Sequence, residues 1–381
     1  MSLEGKFFAK EKQQPGETTK LDINKFIEEL IPKTESSEKS LYAVRLASER
    51  SRQNIRNTVE NFFKYQTVNL KRSPGEVTAE LTREVERTKE SAVLSYNTNL
   101  KRLLEILDSG RIKNMFDFSE EEKREKMSFS SDPLGYDFRR RATERVLGWG
   151  ENEHPLYLAL DDADDDAKNG SANHYGDIRI QFDLDTVTDN TYFVEGDSMS
   201  ELSIPYALLQ HKENKYKQKT PEGAVNPELR QLSAEHAFIS KAMLRIIMHQ
   251  EDSGITDYNF DKFGRCLTYI EAHVGTSLSL QEAKQIQVPM DKFREQVAAL
   301  YKNEMYEKFY SIAGPVKEPP DDYYWSLTEP ENPDYTWRVE GEAAENLKKQ
   351  ITKEKTEQVL DYLKKKCSEY SVHLKVTERI W

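Results

Sequence analysis

Cysteine is nearly missing from this chain: Cys266 and Cys367 are the two among 381 residues, with no metal-ligand spacing around either. That pattern offers neither a disulfide framework nor a zinc ribbon. Basic charge is also short, with Lys+Arg at 55 against Asp+Glu at 67 and a formal net charge of −12. A duplex-binding domain presents a basic face, so nucleic acid is not an expected partner. Apolar runs are far below the length that spans a bilayer. The first twenty residues lack the apolar stretch of a secretory signal and read as a disordered tail. These absences lead us to expect a soluble protein of a reducing compartment. Either the cytoplasm or delivery into a host cell without a cleavable signal would suit it.

The familiar chemical motifs are missing as well. The chain has no GxGxxG, no GxxxxGKS or GxxxxGKT, no HExxH, no GxSxG and no CxxC. The acidic run DDADDDAKNG at 161–170 lacks the sixth-place Gly and final Glu of a calcium loop, so we read it as a solvated loop. No metal site is expected.

What is present is periodicity. Ile55, Val59, Phe62 and Phe63 form one helical stripe, and the chain from 21 to 90 reads as a helical N-terminal layer broken at Ser73-Pro74-Gly75. Ala92-Val93-Leu94 reads as a strand. A helix follows, capped by Asn97 or Thr98, carrying Leu100, Leu103, Leu104 and Leu107, and stopped at Gly110. Residues 139–149 read as helix and 156–160 as a buried strand. Ile178, Ile180, Phe182 and Leu184 alternate with Arg179, Gln181, Asp183 and Asp185, which predicts a strand with one apolar and one wet face. A turn at Asp189-Asn190 leads to a second strand, Tyr192-Phe193-Val194, and Gly196 ends it. Ile239, Met243, Ile246 and Ile247 mark another helix. Residues 266–274 and 285–288 read as strands. Phe293, Val297 and Leu300 mark a further helix. A Pro-rich aromatic loop at 314–337, a long helix ending in Lys364-Lys365-Lys366 and a strand carrying Val372, Leu374 and Val376 complete the chain. The expectation is an α+β protein with a split, mostly antiparallel sheet core over 91–290, a helical layer before it and C-terminal helices with a final strand over 291–381.

Two places carry candidate chemistry. Glu271 and His273 alternate on one predicted strand, so they face the same space; a carboxylate there needs a partner or a ligand. Glu195–Ser200 ends a strand with a Gly that permits close approach and with Ser198 beside it. For both, an ordinary structural role is an equal alternative.

The order of pieces resembles the bacterial toxin-like ADP-ribosyltransferase fold. It is carried by Leu107–Arg111 (LDSGR), Arg141–Gly148 (RATERVLG), His154–Leu160 (HPLYLAL), Tyr175–Asp177 (YGD), Thr191–Ser198 (TYFVEGDS) and Tyr269–His273 (YIEAH). The resemblance covers about 90–289. It implies NAD as substrate and transfer of ADP-ribose to a protein target by a bacterial toxin or effector. Glu271 and Ser198 would then be the catalytic pair, with Tyr96, Arg111, Arg140, Tyr175 and His273 at the NAD. Two departures stand out. The family's first strand carries an Arg or His that holds NAD, whereas Ser95-Tyr96-Asn97 has neither. His273 occupies a position where the family has an acid or amide. The alternative is therefore a fold of this type that has lost catalysis and works as a protein-binding module.

Overall fold

The computed structural model describes residues 23–119, 121, 133–163, 175–198, 227–250, 269–313 and 342–377. The expected N-terminal tail 1–20, residues 164–170 of the acidic run, Cys266 and the aromatic loop 314–337 lie outside the described residues. The chain enters through α1 (Ile23–Leu30), α2 (Tyr42–Lys64) and α3 (Pro74–Ser91). The break between α2 and α3 has a clear local cause. Ser73 Oγ accepts the amide of Glu76 at 3.2 Å, while the Glu76 carboxylate accepts the Ser73 amide at 3.1 Å. Pro74 fills the first helical position, where no N–H is needed. Then follow β1 (Ala92–Thr98), α4 (Leu100–Ser109), β2 (Arg111–Ile112), α5 (Pro133–Val146), β3 (Leu156–Asp162), β4 (Ile178–Asp183), β5 (Thr191–Glu195) and β6 (Gln231–Leu232). The last described elements are α6 (Ala234–His249), β7 (Ile270–Val274), β8 (Leu278–Ser279), β9 (Ala283–Pro289), α7 (Met290–Leu300), α8 (Lys302–Ala313), α9 (Glu342–Glu369) and β10 (His373–Thr377). The cap of α4 is Asn99, whose side chain accepts the Arg102 amide at 2.9 Å, rather than Asn97 or Thr98. Gly110 ends it in the left-handed conformation, φ 71°.

Among the described residues, eight strands form one sheet in the order β10-β9-β4-β1-β3-β7-β5-β6, and β2 pairs with β8 in a separate ribbon. Every pairing within the large sheet is antiparallel except β10 with β9. The strands 178–183 and 191–195 share that sheet but are not neighbours: β1, β3 and β7 lie between them. Leu184 falls outside β4, in a single 3-10 turn.

Register settles which side chains share a face. One face carries Ile286, Ile180, Leu94, Leu158, Ala272, Phe193 and Leu232, all buried in a core shared with α1, α2, α3, α4, α6, α7 and α9. The helical N-terminal layer is thus packed into the core of the sheet. Free Cys367 lies in that core, where burial pushes its thiol up to about 11.

The opposite face departs from expectation. Arg179 and Gln181, predicted to be wet, are fully buried, while Asp183 and, in the turn beyond the strand, Asp185 are exposed. Along this face run Gln285 and Gln287, Arg179 and Gln181, Ser95 and Asn97, Tyr157 and Ala159, Glu271 and His273, and Tyr192. Period two predicts two faces; it does not say whether the second is covered. Asp161 and Asp162, read as the start of a solvated loop, belong to β3 and are also buried. Among the described residues no helix is long and apolar enough to cross a membrane.

Candidate active site on the polar face of the sheet

Glu271 sits in the middle of β7, opposite Ala159 on one side and Val194 on the other, and is 2% exposed. Its neighbours come from three directions. His273, two residues on and on the same face, meets Oε1 at 2.7 Å. An ionised carboxylate only accepts, so the imidazole Nε2–H is the donor. Tyr269, two residues back, donates its hydroxyl to Oε2 at 3.4 Å. Ser198 donates its backbone amide to Oε1 at 3.2 Å. That last contact depends on the end of β5. Gly196 takes φ 72°, and its amide bonds to Tyr269 O at 2.6 Å. Glycine adopts this left-handed conformation without strain. The turn folds Ser198 back over β7.

Burial alone would raise the Glu271 carboxyl. The His273 hydrogen bond, the attraction of His273 and Arg140, and Ser198 together outweigh it, so Glu271 is held below the ordinary carboxylate range. The Ser198 hydroxyl lies against the carboxylate and contributes to that effect, but it makes no hydrogen bond of normal geometry. The Tyr269 phenol is pushed far up, by burial first and then by Glu271, Asp197 and Tyr175.

A second set of groups borders the first. The His273 ring lies edge-on to Tyr157 at 4.7 Å between centroids and against Tyr192 at 4.9 Å. Tyr157 donates to Glu144 Oε1 at 2.5 Å, and the Arg140 guanidinium covers its ring at 3.7 Å. Glu144 Oε2 takes His154 Nδ1 at 2.6 Å. Arg140 and Glu144 are one turn apart on α5, so the same helix face carries a cation towards Glu271 and an anion that anchors Tyr157 and His154. Burial, partly offset by Arg140 and reinforced by Glu144, keeps the Tyr157 phenol well above its usual range.

Several polar atoms here are left over. Ser95 Oγ, Asn97 Oδ1, Gln181 Nε2 and His273 Nδ1 are buried without a hydrogen-bond partner among the described residues. All four residues lie on the Glu271 face of the sheet. An unmet buried polar group costs about 1–3 kcal/mol, and native proteins carry few of them. His273 touches the ionised carboxylate, and Ser95, Asn97 and Gln181 lie two and three strands along the same face, a row of polar atoms that fits contact with a polar, hydroxyl-bearing ligand.

Of the residues singled out in the sequence, Glu271, Ser198, His273 and Arg140 come together. Tyr175 lies at the margin: it is 49% exposed, donates to Asp197 Oδ2 at 3.3 Å and reaches Tyr269. Tyr96 does not join them. It pairs in register with Ile180, on the apolar face, and packs against the main core. The Glu271 face of β1 belongs to Ser95 and Asn97 instead. Arg111 is exposed in the β2–β8 ribbon, paired with Ser279, outside the buried cluster. Glu144, His154, Tyr157 and Tyr269 were not anticipated. The parity of Tyr269 with Glu271 was available in sequence, but the others meet the site only through the β3–β7 pairing and the docking of α5. Two clefts elsewhere on the surface, of 490 and 310 Å³, lie against α9 and do not border Glu271. Compared with models of known protein families and with curated proteins, the sequence matches none.

Proposed function

We propose that the Glu271 cluster is the site of ADP-ribose transfer from NAD to a protein. The observation that carries this reading is the ionised, buried Glu271 with Ser198 folded onto it and unmet donors and acceptors along the same face of the sheet. When the nicotinamide–ribose bond of NAD breaks, positive charge develops on the ribose. A fixed carboxylate stabilises that charge more than it stabilises the ground state. Glu271 supplies the carboxylate. His273 and the Ser198 amide keep it ionised and aimed, at 2.7 and 3.2 Å. The unmet hydroxyls of Ser95 and Ser198 suit a sugar's hydroxyls, and the Arg140 guanidinium suits the pyrophosphate. The order of the motifs over about 90–289 supports the same reading.

The test is transfer of label from NAD to proteins of a cell lysate. Glu271→Gln keeps the shape and removes the charge, so turnover should fall about 100- to 1000-fold with little change in NAD affinity. Equal activity in both proteins refutes the role of Glu271. One observation favours a second reading, a non-catalytic protein-binding module: β1 offers Ser95 and Asn97 to this face where an NAD-holding Arg or His is expected. No transfer by wild type, with no rise in melting temperature at millimolar NAD, would select that module, because any ligand of the folded state stabilises it.

A further inference from the structure

The 28-residue helix α9 packs along α7, and between them opens a cleft of about 490 Å³. Its wall is cationic. Arg294 comes from α7, and Lys348, Lys349 and Lys353 come from α9, with Glu357 as the one acid among the lining residues. The chain as a whole is strongly anionic, at −12 net. Four cations facing one concavity are therefore a local reversal of the molecule's charge.

The acids on hand do not neutralise it. Glu345 takes Lys348 at 2.7 Å, and Glu357 is 4.0 Å from Lys353. Arg294 and Lys349 have no ion pair among the described residues, and Glu345 acts on Lys349 only from beyond ion-pair distance. Lys349 and Lys353 are four apart on one helix, a like-charge arrangement that opposes helix formation. Glu345 and Glu357, four residues outside the pair on either side, offset this only in part. The cleft is also of ligand size, since small-molecule sites run about 300–1,000 Å³. Its lining includes only one large apolar side chain, Met290, so an apolar ligand finds little to bury against. Arginine matches phosphate oxygens in a fork, and lysines serve them as point charges.

We propose that this cleft binds a compact, multiply charged phosphate anion. The site is separate from the Glu271 cluster and does not depend on what that cluster does. Each lost charged contact weakens binding by about tenfold or more.

The experiment uses the full chain and two probes, inorganic tripolyphosphate and phosphatidylcholine vesicles with or without a phosphoinositide. Calorimetry should show tripolyphosphate binding that weakens with added salt. At about a hundredfold excess over Kd the melting temperature should rise by about 3–6 °C. The variant Arg294→Gln/Lys349→Gln/Lys353→Gln should lose at least about tenfold in affinity. A control with the same charge change on exposed lysines elsewhere, Lys25→Gln/Lys39→Gln/Lys64→Gln, should bind as wild type does. Lysine and arginine side chains that project into solvent are seldom needed for folding; should the triple variant melt early, Lys349→Gln alone carries the comparison. Vesicle binding that needs the phosphoinositide and the same residues makes the source a lipid headgroup, and tripolyphosphate binding alone makes it a soluble phosphate. Equal affinity in the cleft variant and wild type, or no binding of either probe by wild type, overturns the proposal.

Discussion

Replacing His273 by Phe tests whether Glu271 is held as an ion by its neighbours. Phe keeps a ring between Tyr157 and Tyr192, whose centroids lie 4.7 and 4.9 Å away, and removes the Nε2–H that meets Glu271 at 2.7 Å. The carboxylate then remains buried with only two longer contacts, 3.2 Å from Ser198 N and 3.4 Å from the Tyr269 hydroxyl. Removing one partner from a buried pair of this kind costs about 3–5 kcal/mol. Glu271→Gln is different: its amide oxygen still accepts from His273 and Ser198 and the desolvated charge is gone, so the cost should stay within about 1 kcal/mol. With both changes, the phenyl ring faces a neutral amide and the loss is one neutral hydrogen bond, about 1–2 kcal/mol. The double variant should therefore be more stable than the His273→Phe protein by about 2 kcal/mol. Urea unfolding of the four proteins, with equal m-values, gives the coupling. Losses that add within about 0.3–0.5 kcal/mol would refute it. A pH series adds the sign. Because the Glu271 carboxyl is lowered from 4.5, its contribution is in place above pH 4.5 and is lost as pH falls through the folded value. Wild type should lose more stability below pH 4.5 than Glu271→Gln does; the reverse order would also refute the reasoning.

Two further outcomes follow from the scaffold. Arg245, 8% exposed, joins α6 to β3 and α3 through Asp162, Glu84 (3.2 Å) and Thr88 (3.1 Å). Arg245→Ala should cost about 3–5 kcal/mol in urea unfolding, and a loss under about 1 kcal/mol would mean that Lys241 and Ser91 suffice for Asp162. At Gly176, φ 143°, an added Cβ would lie 2.2 Å from the Thr98 carbonyl. Gly176→Ala should therefore lower the melting temperature and raise amide exchange at the end of β1, and an unchanged melting temperature would refute the close approach.

Much of the architecture was legible as local physics. Alternation at 178–183, the leucine stripe of α4, its stop at Gly110 and the break at Ser73-Pro74-Gly75 before α3 depend on neighbours a few positions away, and the elements form where those patterns fall. Glu271 and His273 were readable as a same-face pair for the same reason: a strand's parity is local. What lay beyond reach depends on strand order and register. Tyr96 is one residue from Ser95, and only the pairing of β1 with β3, Ser95 opposite Ala159, decides which of the two faces Glu271. Arg179 and Gln181 carry a polar pattern that predicts water, yet they are buried, because whether a polar face meets solvent or other parts of the chain is a property of packing at long range. The same holds for Glu144 and Tyr157, thirteen residues apart in sequence and 2.5 Å apart in space. Local pattern was enough to place the elements and to divide each strand into two faces. Which faces meet, and that the polar one is enclosed, came only with the packed chain, since a side chain's environment is set by groups brought beside it from elsewhere.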